Sequence, residues 1–196
     1  MLEFEPDRPG RYDAVIAQAV MDLLPPGLMA ERIAGWLGPG GLFYASLNYD
    51  GGTALFPEYR DTGLERRILA AYDASMERRR VWGLASGGAR SGRRLHGALR
   101  AAGLTILSFG SSDWNVVPAR GRYPEGEAVV LAELLGLILG EAERSGEFGA
   151  SELAAWQRER TARLGAGDLG LIVHQIDLVA EKPRLTHPPG ADWDSP

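Results

Sequence analysis

An apolar run, a helical stretch and a second apolar run follow one another between residues 12 and 47, joined by tight turns. Tyr12-Asp13-Ala14-Val15-Ile16-Ala17-Gln18-Ala19-Val20 comes directly after the turn-forming Pro9-Gly10. Its length and its Val and Ile content fit a strand buried on both faces. Pro25-Pro26-Gly27 then interrupts the chain. Met29, Ile33, Trp36 and Leu37 recur at i, i+4, i+7 and i+8, which is one face of a helix. Gly38-Pro39-Gly40-Gly41 stops that helix, and Leu42-Phe43-Tyr44-Ala45-Ser46-Leu47 reads as a second strand. A strand, a helix and a strand with connections this short make a βαβ unit, so the two strands should run parallel.

The rest of the chain extends this α/β pattern. Glu65 to Arg80 reads as a charged, exposed helix. Ser91 is placed to cap a helix with Leu95 and Leu99 inward, closed by Gly103. Leu104 to Ser111 is strand-like, and Glu125 to Ala142 reads as a buried apolar helix. Ser151 is the expected cap of another helix, with Leu153, Trp156 and Leu164 at helical spacing. Leu169 to Val179 is the last strand. From Pro183 onward four prolines and no apolar pattern suggest a disordered tail.

Two of these segments carry a family resemblance. Tyr12-Asp13-Ala14-Val15-Ile16-Ala17 resembles the fourth strand of the class I S-adenosylmethionine-dependent methyltransferases. Trp36-Leu37-Gly38-Pro39-Gly40-Gly41-Leu42-Phe43-Tyr44 resembles that family's helix end, Pro-Gly-Gly turn and fifth strand. Ser91 to Leu104 is similar to the next helix and the start of the sixth strand. Leu171-Ile172-Val173-His174-Gln175-Ile176-Asp177 is similar to the seventh. The resemblance implies a three-layer, Rossmann-like sheet, mostly parallel. Its antiparallel last strand should insert between 42–47 and 104–111. Residues 1–183 would form a partial methyltransferase domain and residues 184–196 the tail.

The same resemblance implies S-adenosylmethionine as cofactor and a small-molecule methyl acceptor. The family's Gly-rich first loop and the acids of its second and third strands are absent, since no Gly-x-Gly-x-Gly precedes Arg11. The chain should therefore bind the cofactor weakly or not at all. A misassigned start, a fragment and a truncated relative are all open readings. The alternative to an enzyme is a non-catalytic binding or structural module derived from the fold.

Candidate site residues follow from the carboxyl edge of such a sheet. Gln18 and Ala19 end the first strand and would line the cofactor site, whereas Asp22 reads as the cap of the following turn. Asn48 and Asp50 follow the second strand. They read equally as substrate-binding groups or as an Asx-rich turn. Trp114, after Ser111-Ser112-Asp113, would cover a substrate. His174, Gln175 and Asp177 read as a structural network that tethers the Asp113 loop. Arg66-Arg67 and Arg78-Arg79-Arg80 read as a solvated helix face. Arg90, Arg93 and Arg94, at a helix start, leave room for an anionic partner.

Composition excludes other classes. A net charge of −5 argues against nucleic-acid binding through bulk charge. The chain has no cysteine, which removes disulfides, thiolate metal sites and cysteine nucleophiles and suits a cytoplasmic protein. No metal spacing is seen, and Ala128 to Leu139 is too short to span a membrane. If no strand lies beyond 12–19, its open apolar edge should drive self-association through Tyr12–Ala19, unless Leu2–Glu5 folds back over it.

Overall fold

The computed structural model describes residues 7, 9–124 and 126–184. The terminal segments, including all but Arg184 of the expected tail at 184–196 and the covering strand at Leu2–Glu5, lie outside the described residues. Strand β1 (Tyr12–Gln18) and strand β2 (Leu37–Phe56) pair in parallel, joined by helix α1 (Pro26–Trp36), as the βαβ reading requires. Helix α2 (Thr62–Glu77) follows, then a small hairpin of β3 (Arg80–Val81) and β4 (Leu84–Ala85). Next come α3 (Ser91–Ala101), β5 (Thr105–Ser111) and β6 (Trp114–Val116). Helices α4 (Glu127–Ser145) and α5 (Ala150–Gly165) precede the last strand, β7 (Gly170–Glu181). β7 is antiparallel to both β2 and β5 and lies between them, in the order β1-β2-β7-β5; β6 also pairs with β7.

Apolar residues collect in two cores. Ile33 of α1 and Leu95 and Leu99 of α3 pack with Phe43, Ala45 and Leu178 on one face of the sheet. Ile68 of α2, Leu131 and Ile138 of α4 and Trp156 of α5 pack with Leu55 and Leu171, farther along the sheet. β2 and β7 run through both. Within the second core Arg160 is fully buried and grips Glu65 with two hydrogen bonds of 2.7 Å, from Nε to Oε1 and from Nη2 to Oε2. Trp156 Nε1 donates to the same Oε1 at 3.0 Å, and Arg160 Nη1 donates to the Pro57 carbonyl at 2.8 Å. A buried cation needs such complete pairing to offset its lost hydration.

Several local expectations are corrected. β1 is covered on one face only: Val15 and Ala17 pack on the first core, but Ile16 is 70% exposed. Its partner Tyr44 and, one pair along, Ala14 and Leu42 are exposed on that same face. An apolar run reports strand propensity, not how many layers cover it. β2 is far longer than 42–47. Irregularities between Ala45 and Asn48 and between Tyr49 and Thr53 absorb extra residues, with Leu47, Gly51 and Gly52 at positive φ, and Thr53–Phe56 then resume pairing with β7. Residues 48–52, expected as a loop, belong to the strand.

Helix α2 is not merely a solvated face. Leu64, Ile68, Ala71, Tyr72 and Met76 are buried, while Arg66 and Arg67 point outward. Asp61 caps it, accepting from Leu64 N at 2.9 Å. Neither predicted serine acts as a cap. Ser91 begins α3 with its hydroxyl buried and unpartnered, and Arg90 occupies the N-cap position. At α5 the N-cap is Gly149, whose N–H donates to Glu152 Oε2 at 2.9 Å, and Ser151 falls in the first turn. Helix α4 buries one side only, leaving Val129 and Leu137 exposed.

Candidate functional site

The sheet places the carboxyl end of β1 beside a bend midway along β2. Each chain turns there through a non-glycine residue in the left-handed region, Ala19 at φ 51° and Leu47 at φ 58°. That conformation costs on the order of 1 kcal/mol for a residue with a Cβ, so tertiary structure holds it in place. Ala19 N–H donates to the Ser46 carbonyl at 3.0 Å. Leu47 N–H donates to Asp177 Oδ1 at 2.8 Å. The same Oδ1 accepts from Ser112 Oγ at 2.7 Å, so one β7 carboxylate fixes both the bend in β2 and the end of β5. His174 Nδ1 and Asp113 Oδ1 lie 2.8 Å apart, which holds the following residues. The expected tethering of the Asp113 segment by β7 is thus present, through His174 and Asp177.

Between these anchored turns opens a cavity of about 430 Å³. Ala19, Asp22 and Leu47 line one side, with Tyr49, Gln175 and the 112–114 segment. Its polar lining is rich in acceptors. Asp22 Oδ1 and Gln175 Oε1 are buried without a hydrogen-bond partner. Burial pushes the Asp22 carboxyl above the usual carboxylate range, and its own backbone N–H, Arg79 and the Leu23 N–H offset this only partly. Tyr49 donates to Asp73 Oδ1 at 2.6 Å. Burial, then this bond, raise the Tyr49 hydroxyl well above its ordinary value; burial likewise raises Asp73. Tyr49 is therefore a fixed neutral wall. Asp22 Oδ1 and Gln175 Oε1 are themselves shielded from solvent, so each carries an uncompensated desolvation cost beside the cavity.

Of the residues singled out from sequence, Ala19 and Trp114 line this cavity. Gln18 is exposed at the end of β1. Asn48 is buried inside β2, where Nδ2 donates to the Ile176 carbonyl at 2.7 Å. Asp50, 4% exposed, accepts from Arg93 N at 2.9 Å and from Arg93 Nε at 2.8 Å. Arg94 pairs with Glu77 at 2.8 Å. Arg93 and Arg94 thus spend their charge on internal carboxylates rather than on an anionic partner. Sequence reasoning assigned Asp22 to a turn and did not single out Tyr49. The signal available for Asp22 was its place just beyond the first strand, at the edge where such sheets bind ligands.

No protein-family model and no curated protein matches the chain. Among solved structures it is similar to a Bacillus halodurans protein with a proposed methyltransferase activity, at 13% identity and a TM-score of 0.47, covering 92% of this chain and 68% of that one. It is also similar to an S-adenosylmethionine-dependent methyltransferase from Methanosarcina mazei, at 10% identity and a TM-score of 0.43, covering 90% of this chain and 62% of that one. A third is the Haemonchus contortus phosphoethanolamine N-methyltransferase 2 in complex with S-adenosyl-L-methionine, at 12% identity and a TM-score of 0.36. There the match covers 90% of this chain and 34% of the other. The strand order, with an antiparallel β7 inserted between β2 and β5, decides the architecture. The chain has a Rossmann-like α/β fold with a mixed sheet, similar to that of the class I methyltransferases. Among the described residues no helix is long and apolar enough to cross a membrane, and no group of acids and histidines is arranged to hold a metal ion.

Proposed function

We propose that this chain serves S-adenosylmethionine-dependent methyl transfer to a small molecule in the cytoplasm, and that the cavity beside Ala19 is where donor and acceptor meet. The observation that carries this reading is the position of that cavity, at the carboxyl end of β1 and the bend of β2, with Asp22 and Gln175 in its lining. The residues fit the cationic end of the cofactor. Asp22 places a carboxyl group in the lining, Ala19 contributes only a methyl side chain, and Leu47 and Trp114 supply apolar surface. When bound, the cofactor supplies an electrophilic methyl group. The protein's work is to hold the acceptor in line and to exclude water. Asp22, with its raised pKa, is suited to take the proton that an acceptor nucleophile loses.

This sequence contains no Gly-x-Gly-x-Gly, so affinity in the millimolar range is expected. Chemical-shift mapping of the 196-residue chain with millimolar S-adenosylmethionine tests the reading. Shifts should centre on Ala19, Asp22, Leu47 and the Trp114 indole. Asp22→Asn should weaken binding about tenfold, equivalent to 1.4 kcal/mol. Shifts elsewhere, for instance confined to α4 and α5, or an Asp22→Asn variant that binds equally well, would overturn it.

A further inference from the structure

Among the described residues the sheet has two open edges, β1 and β5, and on β1 a strand can pair with its own copy in a charge-compatible register. No described strand pairs with the outer side of β1. Ala19 N–H points to β2, because it donates to Ser46. In an extended strand successive residues alternate, so Val15 and Ala17 also turn toward β2. Ala14, Ile16 and Gln18 turn their N–H and C=O groups outward, whereas the Tyr12 carbonyl lies against Gly41 of β2, beyond a shift in register. The strand carries none of the devices that keep edges apart. It has no proline, no lysine and a single charge, Asp13. Ile16, directly on this edge, is 70% exposed.

We infer that β1 pairs with β1 of a second copy of this chain, antiparallel, about a two-fold axis through Val15. This register is self-complementary. Ala14 faces Ile16 of the second copy in a hydrogen-bonded pair, and Gln18 falls opposite its Tyr12, at the end of the paired stretch. The two Ala14–Ile16 pairs give about four N–H···O=C bonds, two per pair. Asp13 falls opposite Ala17, and Arg11 opposite Ala19, so no like charges meet. Each Ile16 gains the flank of an alanine. A foreign strand finds little on this edge to select it, whereas the copy fits by symmetry. The two five-stranded sheets become one. A strand pair alone lies at the small end of specific interfaces, so dissociation in the micromolar range is expected.

The chain has no native cysteine, which makes a register test direct. In the inferred dimer the two copies of Val15 form a non-hydrogen-bonded pair with Cα atoms about 4.5 Å apart, within reach of a disulfide. Val15→Cys should give a covalent dimer under mild oxidation. Ala14→Cys should not, because its symmetry mate is displaced by two residues along the strand. Sedimentation velocity of the unmodified chain should show a monomer–dimer equilibrium. Ile16→Lys should shift it at least tenfold toward monomer while unfolding remains cooperative. Should Ile16→Lys fail to fold, the Val15→Cys and Ala14→Cys pair still decides. A monomer at 100 µM or above, as when a terminal segment of the same chain covers the edge, overturns the inference. So does a dimer in which Ala14→Cys cross-links and Val15→Cys does not.

Discussion

Asp22 shows how single residues here are set against stability. Its carboxyl is pushed above the usual range because burial penalises the charged form, and the backbone N–H groups of Asp22 and Leu23 and the Arg79 charge offset this only partly. A group whose pKa is raised on folding binds its proton more tightly in the native state. It therefore favours the fold at low pH and withdraws that support as pH rises through its folded value. Asp22→Asn should raise the melting temperature at pH 7, and the gain over the parent should vanish near pH 3, where both side chains are neutral. Thermal melts across that range check this, and a variant less stable than the parent at pH 7 would show that the carboxylate has a stabilising partner. A natural acid that costs stability at neutral pH is what a ligand-binding role for the cavity predicts.

At the level of elements, α3 is held against β7 by the absence of a side chain. A Cβ built on Gly92 would lie 2.5 Å from Ile176 Cβ. Gly92→Ala should cost about 1–3 kcal/mol through overpacking, read as a lowered urea midpoint with unchanged slope. The elements themselves were largely legible in the sequence. The βαβ start, the helical face at Met29 and Ile33 and the antiparallel Leu169–Val179 strand all follow from periodicity, turn chemistry and the family likeness. What escaped was whatever depends on a partner distant in sequence. The bend at Leu47 is held by Asp177, 130 residues away, so 48–52 read locally as a loop. Ser91 and Ser151 have the composition of caps, yet Arg90 and Gly149 hold the cap positions. The cavity joins Asp22, Tyr49, Trp114 and Gln175 from four separate stretches, and no local spacing announces that meeting.

The molecule as a whole has two cores strung on two shared strands. The second depends on the Glu65–Arg160 pair. Removing one partner of a buried pair leaves an uncompensated charge and costs about 3–5 kcal/mol. Arg160→Met should therefore lower overall stability by that order, measured by denaturant unfolding, and hydrogen exchange should quicken first in α2, α4 and α5. Arg160→Met combined with Glu65→Leu should recover part of the loss, because no charge is then stranded. The irregular stretch of β2, from Ala45 to Thr53, lies between the cores, where its ladder with β7 is twice interrupted. Such interruptions concentrate bending and twist. The cavity sits at this joint. Tyr49 and Trp114, on one side of it, belong to or pack against the second core, while Ala19 and Asp22 flank Val20 and Met21 of the first. A guest held there works as a pin through a hinge, and the molecule would register its arrival as lost torsion between two lobes.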